Sequence, residues 1–197
     1  MEITAKMVAD LRKQTNAGMM DCKKALKECD GDMGAAADYL RKKGIAKAAS
    51  KAGRSTANGL VEAYIHPGGQ VGVIVEINCE TDFVARTDEF KDFVHDVAMH
   101  IAAAEPLGLD REAIDASIVE KEAEIFRAQM KEEGKPDNMI DKIVTGKIDK
   151  FYSEVCLLEQ KFVKDGDVTI QELVQSKIGS LGENMGIKRF VRFRIGG

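Results

Sequence analysis

The chain has 197 residues, 44% hydrophobic and 31% charged, with a formal net charge of −4 and a pI near 5.5. That much apolar material excludes a disordered tail and can bury a core without staples. A membrane helix is excluded too, because no stretch approaches the roughly 18 uninterrupted apolar residues it needs.

The opening Met1-Glu2-Ile3-Thr4-Ala5-Lys6 lacks the basic start and apolar run of a secretory signal. Cys22, Cys29, Cys79 and Cys156 show no metal-ligand spacing. Reduced thiols in a cytoplasmic protein are therefore expected. Charge is uneven along the chain. Residues 1–54 carry 12 Lys and Arg against 7 Asp and Glu, and the remainder 17 against 26. Arg41 to Arg54 holds six basic residues and no acid. A basic head on an acidic body suits nucleic acid, whereas an acidic whole argues against a dedicated nucleic-acid binder. The alternative is a solvated linker.

Residues 4–44 read as three short helices. Thr4 can cap the first, whose face is Met7, Val8 and Leu11, and Asn16-Ala17-Gly18 breaks it. Asp21 can cap the second, which carries Cys22, Ala25, Leu26 and Cys29. After the turn Asp30-Gly31-Asp32, the third is lined by Ala35, Ala36, Tyr39 and Leu40, with Gly44 where a C-terminal cap belongs. Residues 46–58 lack a strong apolar face and read as a linker whose Ala- and Lys-rich start suits a helix.

From Gly59 the period changes. Leu60 to Ile65 and Gln70 to Cys79 flank His66-Pro67-Gly68-Gly69 and form an antiparallel hairpin, with Val71, Val73, Val75, Ile77 and Cys79 on one face. Phe90, Phe93, Val94, Val97 and Ile101 mark a helix that Pro106 ends. Ser117 and Glu120 form a capping box for a helix with sparse apolar positions (Ile118, Ile125, Phe126, Met130), closed by Gly134 and Pro136. Ile140, Ile143, Val144, Ile148 and Phe151 mark the next helix. Thr169 and Glu172 cap the last, before Leu173, Val174 and Ile178. Val191, Phe193 and Ile195 alternate with Arg192 and Arg194 in a third strand. The fold class is α+β. A helical module at 1–45 and a linker at 46–58 precede a core at 59–197, in which helices pack a three-stranded antiparallel sheet.

Chemistry is sparse. There is no Gly-rich phosphate loop, and His66, His95 and His100 read as structural or surface residues, since His95 and His100 lie five apart. No nucleophile–base arrangement can be inferred, and no metal or cofactor is expected. Two features stand out. In Gly18-Met19-Met20, one Met is expected to pack inward and the other to offer a plastic contact surface. Thr81-Asp82-Phe83-Val84-Ala85-Arg86 follows the best strand. Pattern alone favours Phe83 as a core plug over an exposed anchor, and Asp82 as an N-cap.

The run from Leu11 to Leu26 (Leu-Arg-Lys-Gln-Thr-Asn-Ala-Gly-Met-Met-Asp-Cys-Lys-Lys-Ala-Leu) closely resembles the head of the bacterial elongation factor Ts family. Asn78-Cys79-Glu80-Thr81-Asp82-Phe83-Val84-Ala85-Arg86 is similar to that family's second signature, and the likeness reaches the late Phe-Val-Arg-Phe strand. Asn16 stands where the family usually has Gly, and Asn also accepts a left-handed turn. Longer members carry a second core copy and a helical protrusion. This chain has one core copy, like the short form, for which a homodimer is expected. The resemblance implies a ubiquitin-associated-type head and nucleotide exchange on elongation factor Tu. Carried over by position, Arg12, Met19 and Met20 touch Tu's nucleotide domain. Asp82 and Phe83, flanked by Thr81 and Val84, intrude near its magnesium site. Neither direct nucleic-acid nor membrane binding is implied. The competing classes are an RNA- or ribosome-associated module using Arg41 to Arg54 with Arg189, Arg192 and Arg194, and a small enzyme.

Overall fold

The computed structural model describes residues 3–15 and 17–196, so Asn16 and the opening Met1-Glu2 lie outside the described residues. In chain order it has α1 (Ala5–Thr15), α2 (Met19–Glu28), α3 (Met33–Ala49), β1 (Asn58–Ile65) and β2 (Val71–Cys79). Then come α4 (Asp82–Ala85), α5 (Asp88–Ala104), α6 (Ala116–Glu132) and α7 (Asp137–Val155), followed by β3 (Lys161–Phe162), β4 (Asp165–Thr169), α8 (Ile170–Leu181) and β5 (Met185–Arg194). The fold is α+β. Strands β1, β2 and β5 form one antiparallel sheet in the order β1-β2-β5, and β3 and β4 form a second, two-stranded one that alternation did not suggest.

The chain divides into two compact units. The first comprises Met1–Glu62, Val75–His95 and Glu172–Lys188. Its helical part closes on Val8, Leu11, Cys22, Ala25, Leu26, Ala36 and Leu40. Caps set the helix starts: the Thr4 hydroxyl accepts from the Met7 amide at 3.3 Å, and Asp32 Oδ1 from Ala35 at 2.8 Å. The turn between α2 and α3 is left-handed at Asp30 (φ 51°) and Gly31 (φ 86°). Gly44 does not end α3, which runs on to Ala49. It lies instead within the helix beside α8, where a Cβ on Gly179 would stand in ordinary contact, 3.4 Å from Gly44 Cα. Gly59 in β1 is required for close approach, because at φ +148° a Cβ would lie 2.1 Å from the Ile77 carbonyl oxygen. Val75, Ile77, Cys79, Phe90, Phe93 and Val94 are buried, as their spacing demanded.

The second unit comprises Ala63–Ile74, Asp96–Gln171 and Arg189–Gly197. Helices α6 and α7 form a hairpin with its own small core of Met130, Ile140 and Val144, turned by Gly134 at φ 70°. The Ser117/Glu120 capping box does not form as expected. Asp115 is the N-cap, accepting from the Ser117 amide at 2.8 Å, because it stands one residue before the helix. Elsewhere a buried His100 is fully partnered. Its Nδ1 accepts from the Val163 amide at 3.3 Å, so Nε2 carries the proton toward Gln160 Oε1 at 3.1 Å. Burial holds this imidazole below its ordinary pKa, the hydrogen bond to Gln160 opposing only in part.

The late strand shows an inversion. Its covered positions switch from Met185 and Ile187 to Phe190 and Arg192. Arg192 donates to the Ala102 carbonyl at 3.2 Å and pairs with Glu105, while Val191, Phe193 and Ile195 are exposed. Ile65 and Ile74 are exposed as well.

Candidate functional site

Two apolar turns of the first unit face solvent. Helix α4 is four residues long and follows β2. Thr81, not Asp82, is its N-cap, with its hydroxyl accepting from the Val84 amide at 3.4 Å. Asp82 pairs with Arg86 at 2.8 Å, one turn on, where an exposed pair contributes little. Ala85 is buried and Val84 is half-buried, so one side of this turn is inside. Phe83, on the other side, is 78% exposed. The core-plug reading is thus overturned: in a four-residue helix anchored by Ala85, position 83 points away from the interior.

The base of this turn is tied down. Glu183, in the turn between α8 and β5, accepts from the Thr81 amide at 3.0 Å and from its hydroxyl at 2.6 Å. In return Glu80 Oε1 accepts from the Asn184 amide and, at 3.5 Å, from Arg54. Asn58 Nδ2 donates to the Glu80 carbonyl at 2.8 Å, and the Cys79 thiol to that of Thr81 at 3.1 Å. Burial pushes that thiol's pKa up, which suits a small apolar filler that gives up no proton. Nothing in the chain pattern pointed to Glu183, which lies 102 residues from its partner.

The other turn opens α2. Its N-cap, Gly18, is extended (φ −58°, ψ 143°) and makes no side-chain cap. Met19 is 55% exposed and Met20 is 75% exposed. The expectation that one packs inward fails, because Leu11, Leu26 and Leu40 with small residues already fill the core of this module. Asp21 does not cap. Its two oxygens accept from Lys43 at 2.6 Å and Lys47 at 2.9 Å. Lys43 first and Lys47 second hold this carboxyl below its usual value, and Asp21 raises Lys43 in turn. Arg12 is exposed in the last turn of α1.

Among the described residues no group of three or more His, Cys, Asp or Glu is placed to hold a metal ion, and no helix is long and apolar enough to cross a membrane. Comparison with known proteins adds the identity. The family model "Elongation factor TS" matches residues 44–197. A protein of Geotalea daltonii named "Elongation factor Ts" is 58% identical over 196 residues, covering 100% of this chain and 91% of its own. Relatives of the same name in Fervidobacterium nodosum (55% identical, 100% of both chains) and Desulfosudis oleivorans (54%, 98% of both) are similar along their whole length. This chain is thus a translation elongation factor that exchanges nucleotide and carries out no covalent catalysis. It belongs to the elongation factor Ts family, whose implied partner is elongation factor Tu.

Proposed function

We propose that the chain accelerates GDP release from elongation factor Tu in the cytoplasm, so that GTP can follow, by driving Phe83 into the elements that hold Tu's magnesium. The observation that carries this reading is the exposure of that ring on a short, anchored helix. In a P-loop GTPase, Mg²⁺ bridges nucleotide and protein, so displacing its holders loosens GDP. Burying a Phe contributes about 1.5–3 kcal/mol, and about 1.4 kcal/mol is a tenfold change. The ring alone therefore supplies roughly 10–100-fold. Asp82 lies beside it, with Thr81 and Val84 as flanks. The head, residues 1–45, grips Tu's nucleotide domain through Arg12, Met19 and Met20. The linker, 46–58, joins it to the core, 59–197. Coupling is reciprocal, so each nucleotide loosens the factor by as much as the factor loosens that nucleotide, and GTP binding favours the factor's departure. Stopped-flow release of fluorescent GDP from Tu tests this, and a folded Phe83→Ala variant with the wild-type rate removes the ring from the mechanism.

A homodimer is part of this reading. The exposed Ile65, Ile74, Val191, Phe193 and Ile195 support it, since a contiguous apolar face on a sheet is one that a second copy can cover. The RNA reading is less well supported. Arg41 pairs with Asp38 and Glu172, Lys43 and Lys47 with Asp21, Arg54 with Glu80, and Arg192 and Arg194 with Glu105. Cations already matched by carboxylates release fewer phosphate counterions on binding RNA.

A further inference from the structure

The turn that follows β2 and the turn that precedes β5 exchange hydrogen bonds. The Thr81 amide and hydroxyl donate to the two oxygens of Glu183, and the Asn184 amide donates to Glu80. Each turn thus satisfies a backbone donor of the other through an acidic side chain. Asn184 Nδ2 also donates to the Arg54 carbonyl at 2.9 Å, so the pair is fastened on its outer side. The Thr81 hydroxyl has two duties, giving its proton to Glu183 at 2.6 Å and accepting the Val84 amide. With its proton committed to the carboxylate, the oxygen presents its lone pairs to the start of α4. That short helix has few intrahelical bonds of its own. Ala85 reaches the Thr81 carbonyl and Arg86 that of Asp82.

We propose that Glu183 is a positioning residue for exchange: through Thr81 it fixes α4, and so the direction in which Phe83 leaves the surface. This rests on the exchange reading above. An aromatic side chain that must displace another protein's elements gains from being held beforehand, because ordering it during binding would subtract from the work it does. A carboxylate accepting two bonds at the helix cap, at 3.0 and 2.6 Å, is a strong fixture, since bonds to charged groups exceed neutral ones.

The test uses the full chain with Glu183→Ala, and with Glu183→Gln should the alanine variant lose its cooperative melt. In the free protein, deuterium uptake at the Val84, Ala85 and Arg86 amides is expected to speed up about tenfold, the scale of one lost charge-assisted bond. With Tu, GDP release at saturating factor is expected to slow about tenfold while affinity for Tu moves less than twofold. In a Phe83→Ala background the Glu183 change is expected to add nothing, since it acts through that ring. Unchanged uptake overturns the proposal. So does a slowing that multiplies with that of Phe83→Ala, or a loss confined to affinity. A wild-type chain that leaves GDP release untouched sinks the exchange reading itself and the positioning role with it, whereas a normal wild-type rate with a silent Glu183→Ala sinks the positioning role alone.

Discussion

The Phe83 turn and the Met19-Met20 turn both show apolar side chains to solvent, yet they are built differently. Phe83 sits above a lattice of hydrogen bonds that ties its base to a segment 102 residues away. Met19 and Met20 open a helix with no side-chain cap, and their nearest fixture, Asp21, holds two flexible lysines. A flat ring on a braced turn can push in one direction. Unbranched thioethers on a looser one can mould themselves to whatever they meet. The difference suggests a division of labour, with rigid insertion at one turn and adaptable grip at the other.

Mutation can break that contrast. The largest effect is expected from Phe83→Ala, which should slow GDP release at saturating factor by about 10–100-fold, leaving the melting temperature unchanged because the ring is exposed. Stopped-flow release and a thermal melt check both halves. Met20→Ala should do the reverse, raising the Kd for Tu about five- to tenfold with the saturated rate retained, as measured by titration. Equal losses of rate and affinity in both variants would erase the distinction. Asp21→Ala should lower the melting temperature by a few degrees, since it frees two lysines from one partly exposed carboxylate. The sign of its pH dependence follows from its lowered pKa. Asp21's contribution is present above the ordinary carboxylate value and is lost as pH falls through its depressed one, so the head should loosen only in strong acid. The smallest effect belongs to neither turn. His100 is buried and neutral with a lowered pKa, so its contribution is present above about pH 6.5 and declines as pH falls toward its depressed value. Melting curves between pH 7.5 and 5.5 should show a modest loss of stability that His100→Gln flattens.

Elements with strong periodicity were legible in the chain. The face of α5, the alternation of β2 and the Pro/Gly turn between β1 and β2 all lie where their spacing put them, because burial of one face dominates those segments. Ends were harder. Asp21, Asp82, Ser117 and Gly44 each carried a plausible capping signal and none of them caps: Thr81 and Asp115, one and two residues earlier, cap in place of Asp82 and Ser117, Asp21 is taken by Lys43 and Lys47, and α3 runs past Gly44 to its C-cap, Ser50. The exposure of Phe83 ran against the usual preference of its residue type, and only resemblance to a family pointed outward. Glu183 left no local signal at all. Its partner is set by how two distant turns meet, which spacing along a chain does not encode. The exposed side of β5 was hidden for a similar reason: the change of covered positions after Ile187 reverses which residues of an alternating run face out.

The bond between Thr81 and Glu183 also sets a clock on synthesis. A ribosome adding about 5–20 residues per second needs roughly 5–20 s to travel from one to the other. For that interval a growing chain carries its aromatic finger without the brace that aims it. On the positioning role proposed above, fragments cut short before Glu183 lack the carboxylate that holds Thr81, and that fixture is complete only with the last part of the fold.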